Sequence, residues 1–524
     1  MAEQTSENQA MNDTQRRTTG ARIAVGAIAL AAFLVQILTI HRYGIFRDEL
    51  YYVACSKHLA WGYVDQPPLI ALVTWMERLV GGDSLLSLRF SPALSGAATA
   101  WLTGLLAWRL GARTYGQALA AICVLVSLGY LAFFHLLTMN AFEPVLWTLA
   151  AYVVVGIIQT GNQKLWIAFG AICGIGLENK YSMLLFGFGV VVGLLLTPER
   201  KAFKEPSIWI GGALAMLIWM PNVIWNFRHH WPFLELMANV RTSGRDVALN
   251  PLAFVIQQIL FMSPQTAPVW LCGIIWYFRG QKDGMRRRYT ALGWNFLVVF
   301  LVYLMLHGKA YYVWPIYPIA FAAGGAAIEQ WVKAPFTWLK PVYLATVLAT
   351  GVLLAPMTLP VLSPSQFIAY ELKFHLAAPP IEHQPLGPLE QQLYADMFGW
   401  DEMAHETANA YNALPPDVRA KTAIAGSNYG EAAAIDYFGP PYGLPPAIAG
   451  HQSYYLWGPR EYTGESILFL GEDAEELSKR CRSVETVGHV FDPLSREDEH
   501  FDILWCRGFN IDLQTEWPRA KHYD

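Results

Sequence analysis

Residues Arg47 to Leu69 read RDELYYVACSKHLAWGYVDQPPL, and the fold turns on where that string lies. It follows an apolar run from Ala21 to Ile40 that is long enough to cross a bilayer, so Arg47, Asp48 and Glu49 emerge at one membrane face. Two carboxylates beside an arginine, the Tyr51-Tyr52 pair, Gly62-Tyr63 and Asp65-Gln66-Pro67-Pro68 then stand just outside the hydrocarbon, a place where water-exposed acids could meet a lipid-borne molecule. The plain alternative is a solvated loop with an aromatic belt.

The chain around the string is too apolar for a soluble protein. Of its 524 residues 54% are hydrophobic and only 15% are charged, which reads as a polytopic membrane protein. A net charge of -4 sets up no field for nucleic acid. There is no glycine loop ending in Lys-Ser/Thr, no zinc-spaced cysteine pair and no His-Glu-x-x-His, which argues against nucleotide handling. Twenty tryptophans and twenty-five tyrosines suit interfacial belts or sugar-stacking surfaces.

Residues 1–20 are polar and carry Arg16 and Arg17, with Arg22 just beyond, and read as a disordered cytoplasmic tail before a retained signal anchor. Apolar runs at 21–40, 85–108, 117–134, 143–158, 165–177, 182–196, 208–224, 251–277, 289–306, 312–328 and 342–361 make about eleven spans. Loop charge supports that count. With the N-terminus inside, Arg109 and Arg113, Lys164, Arg200 with Lys201 and Lys204, Arg279 with Lys282 and Arg286 to Arg288, and Lys333 with Lys340 all fall on the inner side. Merging the short runs 165–177 and 182–196 breaks that agreement. The same parity puts HLLTMNAFE (135–143), ENKY (178–181), residues 227–250 and HGKAYY (307–312) on the outer face with Asp48 and Glu49.

After Val361 proline, glycine and charge rise, and residues 363–524 read as a soluble α/β domain outside the membrane. The expected division is therefore a tail at 1–20, a membrane domain at 21–362 with its first outer loop at 42–84, and the outer domain at 363–524. In that domain a helix is expected over Leu389 to Tyr411. TAIAGSNYGEAAAIDYFG (422–439) reads as a strand, a turn and an Ala-rich helix, with Ser427 or Asn428 as a cap or the start of an anion site. Further strands are expected at Ser466–Leu470 and Phe501–Trp505, with a helix near Ala474–Cys481. Cys481 and Cys506 are the only thiols in the outer domain and are expected to pair; Cys55, Cys123, Cys173 and Cys272 read as small buried hydrophobes.

The order acidic pair, Tyr-Tyr, Gly-Tyr, Asp-Gln-Pro-Pro-Leu after a first membrane helix resembles the GT-C membrane glycosyltransferases, in particular the superfamily of protein O-mannosyltransferases and lipid A aminoarabinose transferases. MNAFEP around Glu143, GLENKYSMLL around Lys180 and GKAYYVWPIYP around Lys309 extend it to Pro318. NYGEAAAIDYFG, GHQSYYLWGP and FGWDEM resemble the tail of a bacterial family-39-type subgroup. The motifs are short, and it is their order and common topology that carry the resemblance. It implies a mainly α, multi-pass enzyme of the cell envelope, in the inner membrane, moving one sugar from a polyprenyl-phosphate donor to a lipid, glycan or protein acceptor outside the cytoplasm.

By the same resemblance Asp48 is the general base, acting by direct displacement with inversion, and Glu49 beside it binds metal or acceptor. Glu143 takes the place of the second acidic residue; a Glu where the family has Asp leaves metal binding open. Lys180 and Lys309 match cations for the donor phosphate, with Tyr311 and Tyr312 in the same motif, or else they are interfacial anchors. Asp65 and Gln66 bind the acceptor or brace the loop. Arg241 and His229 or His230 touch phosphate or metal, or are solvated. No cofactor is demanded, and a divalent metal has Glu49, Glu143 and His229 as candidate ligands. The rival reading is a transporter or flippase of lipid-linked sugars, which places its charges near the midplane on broken helices, often in repeated halves. A membrane scaffold is the third, and it has no use for an acidic mouth.

Overall fold

The sequence folds as a mainly helical chain with one four-stranded sheet near its C-terminus. This computed structural model describes residues 2–244, 247, 249–279, 284–377, 379, 382–383 and 385–524. Lys282, Arg245 and Asp246 lie outside the described residues, as do the side chains of Arg286 and Arg287. Two compact units result: Met1–Ile40, Arg89–Pro221 and Ala248–Val361 form the first, and His41–Leu88, Asn222–Val247 and Leu362–Asp524 the second.

Among the described residues five helices are long and apolar enough to cross a membrane: Thr19–Thr39, Met139–Thr160, Pro206–Arg228, Arg288–Met305 and Phe336–Met357. Three bent pairs bring the number to as many as eight, and Leu165–Asn179 is apolar but shorter. The chain is thus a multi-pass membrane protein, and the count of about eleven spans is not confirmed among the described residues. The run 85–108 breaks at Arg89, between Leu85–Leu88 and Phe90–Arg109. The run 117–134 bends by 63° between Thr114–Val126 and Leu128–His135, and the run 251–277 bends by 90° between Pro251–Phe261 and Pro264–Phe278.

Two serines explain how these last breaks are tolerated. Ser127 Oγ lies 2.6 Å from Cys123 O and 3.1 Å from Met262 O. Ser263, at φ 65° and followed by Pro264, donates to Val126 O at 2.9 Å and accepts from Leu128 N at 3.1 Å. Each break thereby satisfies backbone groups the other has freed, a condition for irregular backbone at membrane depth. Small residues bring helices together nearby: a Cβ at Gly324 would sit 1.9 Å from Val269 O, so Ala267–Phe278 and Tyr317–Trp331 meet backbone to backbone. The first helix runs from Ala2 to Thr39, through the polar stretch read as a disordered tail; residues 2–19 hold neither proline nor glycine to break it.

In the second unit β1 (Thr422–Gly426) pairs parallel with β2 (Ser466–Leu470), and β4 (Phe501–Phe509) runs antiparallel to both β2 and β3 (Cys481–Val490), giving the order β1-β2-β4-β3. Three strands fall where expected. β3 was not expected, because its apolar residues do not alternate and its register shifts between Thr486 and Gly488. Cys481 and Cys506 form a disulfide between β3 and β4, closing a loop worth roughly 3 kcal/mol on the chain-entropy scale. The helix expected over 389–411 is instead Gln392–Ala395 and Trp400–Ala413, interrupted at Asp396 to Gly399, where Gly399 has φ 86°. Asp396 is fully buried at that break and its carbonyl accepts from Arg47 N at 3.0 Å.

The string that opened the sequence reading is a helix, Arg47–Lys57, not a solvated loop: every residue from Glu49 to Ser56 is buried. It packs against the helix Tyr429–Phe438, where a Cβ on Gly430 would come within 2.8 Å of Arg47 Cγ. Val64 N donates to Ser453 Oγ at 3.1 Å and Lys57 Nζ to Asp436 O at 3.0 Å. Residues His41–Leu88 and the C-terminal domain are therefore part of one packed body.

Candidate active site

Phe46 starts the helix Arg47–Lys57, and Glu49 closes its N-terminus: Glu49 Oε2 accepts from Phe46 N at 2.9 Å while Glu49 N donates to Phe46 O. Glu49 is fully buried in this cap. Asp48, on the same first turn, keeps about 31% of its side chain exposed. Tyr429 donates its hydroxyl hydrogen to Asp48 Oδ1 at 2.8 Å, and Arg47 Nε stands 3.9 Å from the same oxygen. Tyr429 is held by the start of its own helix, where Asn428 is the cap, accepting from Gly430 N at 2.8 Å and Glu431 N at 3.1 Å.

Arg47 is not the main influence on Asp48. Enclosure by protein raises the pKa of Asp48, and this outweighs the opposing charge of Arg47 and the bond from Tyr429; Asp396 and Glu382 add to the rise. A rise in pKa makes a carboxylate, when ionised, a stronger proton acceptor.

Asp65 accepts from Tyr51 at 2.9 Å, and burial pushes its pKa up to about 7 against that bond, with a smaller rise from Asp48. Gln66 is fully buried, with Nε2 3.7 Å from Cys55 Sγ. His229 is exposed and stacks on Trp225 at 4.1 Å with Nδ1 2.8 Å from Trp225 O; Arg241 is exposed on the helix Pro232–Ser243.

The remaining candidates belong to the first unit. Lys180 Nζ donates to Glu143 Oε2 at 3.0 Å and to Asn140 Oδ1 at 2.6 Å, and Ser182 Oγ donates to Glu143 Oε1. Glu143 retains only 3% of its side-chain exposure and Lys180 16%. Lys180 lies over the rings of Tyr312 at 4.8 Å and Tyr311 at 5.7 Å. Lys309 is half-buried just before Ala310–Ile316. Four of the five candidates in this unit therefore stand together, and Glu143 and Lys180 are ion-paired to each other. Among the described residues the two groups spaced to hold a metal are His451, His522 and Asp524, and Glu402, His405 and Glu406; neither includes Glu49, Glu143 or His229.

Sequence reasoning gave no role to Tyr429, although NYGEAAAIDYFG had been singled out. Arg496 was missed altogether: it bonds Asp396 Oδ1 at 3.0 Å and Asp498 Oδ1 at 2.8 Å in a buried network. In the first unit a second buried network was missed, in which Arg89 Nη1 is 3.3 Å from His135 Nε2 and His135 Nδ1 is 3.2 Å from Gln36 Oε1. Single polar residues far apart in sequence give no local signal of such pairing.

Residues 65–225 match the family model described as dolichyl-phosphate-mannose-protein mannosyltransferase. No curated protein matches the chain by sequence. Among solved structures, ArnT from Cupriavidus metallidurans bound to undecaprenyl phosphate is similar with a TM-score of 0.61 and 13% identity over 91% of this chain and 97% of that one. Its apo state is similar with a TM-score of 0.61 and 14% identity over 93% and 98%. The arabinofuranosyltransferase AftD from Mycobacteria follows at a TM-score of 0.50 and 13% identity, over 93% of this chain and 40% of that one. At such identities the likeness is one of fold. The resemblance read from the short motifs holds, and the chain has the GT-C fold.

Proposed function

We propose that this GT-C-fold chain is a membrane glycosyltransferase that moves one sugar from a polyprenyl-phosphate donor to an acceptor outside the cytoplasm, with Asp48 as the general base. The observation that carries the reading is the state of Asp48: a carboxylate set on a packed helix, partly open to solvent, with one oxygen fixed by Tyr429. In the proposed step the acceptor's hydroxyl or amine proton passes to Asp48 as its oxygen or nitrogen bonds the anomeric carbon. The bond from that carbon to the phosphate oxygen breaks, the electron pair leaving with the phosphate, and the configuration inverts. Asp65, near Asp48 and anchored by Tyr51, is the companion for acceptor binding.

In the first unit Lys180, with Tyr311 and Tyr312 around it, and Lys309 are proposed to meet donor phosphate, Glu143 serving as the counter-ion that sets Lys180. A divalent metal is not needed in this scheme, since lysine charge meets the phosphate. The proposed orientation keeps the N-terminus inside and residues 363–524 outside, as the basic loops demand. A C-terminal reporter active only in the cytoplasm overturns it.

The bent helix pairs are the feature shared with the transporter reading. Two of the three breaks carry Ser127 and Ser263, which bond backbone, rather than charged groups, and the third falls at Leu196 and Thr197. Incubation of the purified protein with a labelled polyprenyl-phosphate sugar separates the two. Transfer of label with inversion, lost in Asp48→Asn, is expected; movement of the lipid across vesicles without cleavage overturns the enzyme.

A further inference from the structure

The turn Met139–Ala141 in the first unit carries Asn140, to which the transfer step gives no role. The turn is pinned on both sides of that residue. Asn179 Nδ2 donates to Met139 O at 2.9 Å, Ser95 Oγ donates to Ala141 O at 2.6 Å, and Ala141 N closes the turn on Thr138 O at 3.0 Å. Upstream, the buried network of Arg89, His135 and Gln36 holds the end of the helix Leu128–His135 that leads into it.

The Asn140 side chain is fixed as well. Lys180 Nζ donates to Asn140 Oδ1 at 2.6 Å. An ammonium has only hydrogens to give, so the amide atom facing it is the oxygen, and the amide nitrogen is turned away from Lys180. That nitrogen has no hydrogen-bond partner among the described residues, and Asn140 is half-exposed, so its N–H donors are open to a ligand.

The surroundings suit a neutral ligand. Glu143 balances the charge of Lys180, so the group formed by Asn140, Glu143, Lys180 and Ser182 carries no net charge and selects none. Both oxygens of Glu143 are taken, by Lys180 and Ser182, which leaves N–H groups to be presented: two on Asn140 and one remaining on Lys180. Lys180 Nζ lies 4.8 Å and 5.7 Å from the ring centres of Tyr312 and Tyr311, so aromatic surface borders these donors. Donors of fixed direction beside aromatic faces match a sugar, whose hydroxyl oxygens accept and whose C–H faces lie on rings. A solvated asparagine needs no such fixing, since ordering its amide costs side-chain entropy.

We propose that Asn140 selects the donor sugar: its Nδ2 donates a hydrogen bond to a hydroxyl oxygen of the sugar carried on the polyprenyl phosphate. This rests on Lys180 meeting the donor phosphate, because the sugar is bonded to that phosphate and so comes beside the neighbouring amide. A fixed donor aimed at one hydroxyl penalises a sugar that lacks it or turns it to the other face, since the amide is then left without its partner.

The test measures, with purified full-length protein in detergent, the affinity of undecaprenyl phosphate and of undecaprenyl-phosphate hexoses and pentoses, together with sugar transfer, in the natural chain, Asn140→Leu and Asn140→Ala. Leucine has nearly the shape of asparagine without its donors. For the sugar donor that the natural chain transfers, both variants should weaken binding by about three- to tenfold, the scale of one hydrogen bond, while undecaprenyl phosphate binds as before. The same donor with single hydroxyls removed gives a reading on the natural chain that no folding defect can blur: one deoxy analogue should lose about as much, and that loss should disappear in Asn140→Leu. Equal weakening of both ligands in the variants means that Asn140 serves the phosphate or Lys180 alone, and overturns the sugar assignment. Unchanged donor affinity in the folded variants overturns the contact, as does a natural chain that uses every deoxy analogue as well as the parent. If the natural chain binds neither undecaprenyl phosphate nor any of its sugars, the donor reading itself falls and the role of Asn140 falls with it, a result distinct from a donor that binds well without regard to Asn140.

Discussion

Asp48 and Glu143 are both acidic residues in the first turn of a helix, one in each compact unit, and they end in opposite states. Asp48 keeps about a third of its surface, accepts one hydrogen bond from a neutral tyrosine, and has its cation at 3.9 Å. Glu143 is sealed, with one oxygen on Lys180 and the other on Ser182. A carboxylate already saturated by a cation and a hydroxyl has little left to offer a proton. Position after a membrane helix makes both candidates; what surrounds the oxygens separates them.

Turnover is where the contrast is largest. Asp48→Asn should lower the rate by roughly 10²- to 10⁴-fold, the usual worth of general-base assistance, with donor binding nearly unchanged. Glu143→Gln should leave the surviving folded enzyme far more active than that. Initial rates with a labelled polyprenyl-phosphate sugar decide it, and a ranking in which Glu143→Gln is the poorer enzyme breaks the comparison.

Next comes stability. Removing one partner of the buried pair, by Glu143→Gln or Lys180→Met, should destabilise by roughly 3 kcal/mol, because the other charge is left buried alone. The double variant should recover much of that loss. Thermal unfolding of the four proteins supplies the cycle. Donor affinity measured in parallel sharpens it: if both single variants bind donor normally, Lys180 is a structural ion pair and not a phosphate ligand.

The disulfide sets a third contrast, between holding the C-terminal domain together and holding Asp48. Cys481→Ala with Cys506→Ala should lower stability by about 3 kcal/mol, the chain-entropy estimate for this loop. The pH dependence of turnover should not move, because Cys481 and Cys506 sit on β3 and β4 and Asp48 on Arg47–Lys57. A shifted profile would show that the sheet positions the base.

Much of this was legible from composition and order. Apolar runs mark helices, and Thr422–Gly426 followed by Asn428 marks a strand and a capped helix, because those signals are local. The breaks at Ser127 and Ser263 were not legible, since a serine inside an apolar run is ordinary until its hydroxyl is seen to bond the other break. Nor was the burial of Arg47–Lys57: the string is polar enough for a surface, and only its packing on Tyr429–Phe438 removes it from solvent. The partners of Asp48 and Glu143 come from 381 and 37 residues away, beyond any window of sequence pattern.

The smallest expected effect is also the most diagnostic. Tyr429→Phe removes the hydroxyl that bonds Asp48 and keeps the ring against Tyr51, 4.7 Å away, so folding should survive. The bond favours the ionised carboxylate, and losing it raises the Asp48 pKa further above its ordinary value. Fewer molecules are then ionised at any acidic pH, and the acidic limb of kcat/KM moves to higher pH. Arg47 acts in the same sense as Tyr429, whereas Asp396 and Glu382 push the other way, so Asp396→Asn should move the limb down; Asp65 and Tyr52 also face the group. At neutral pH the Tyr429→Phe loss should be roughly a few-fold, well inside the range of general-base effects. It should largely vanish above the limb. A loss that stays constant across pH would mean that Tyr429 only fixes geometry, and that the openness of Asp48, rather than its bond, is what distinguishes it from Glu143.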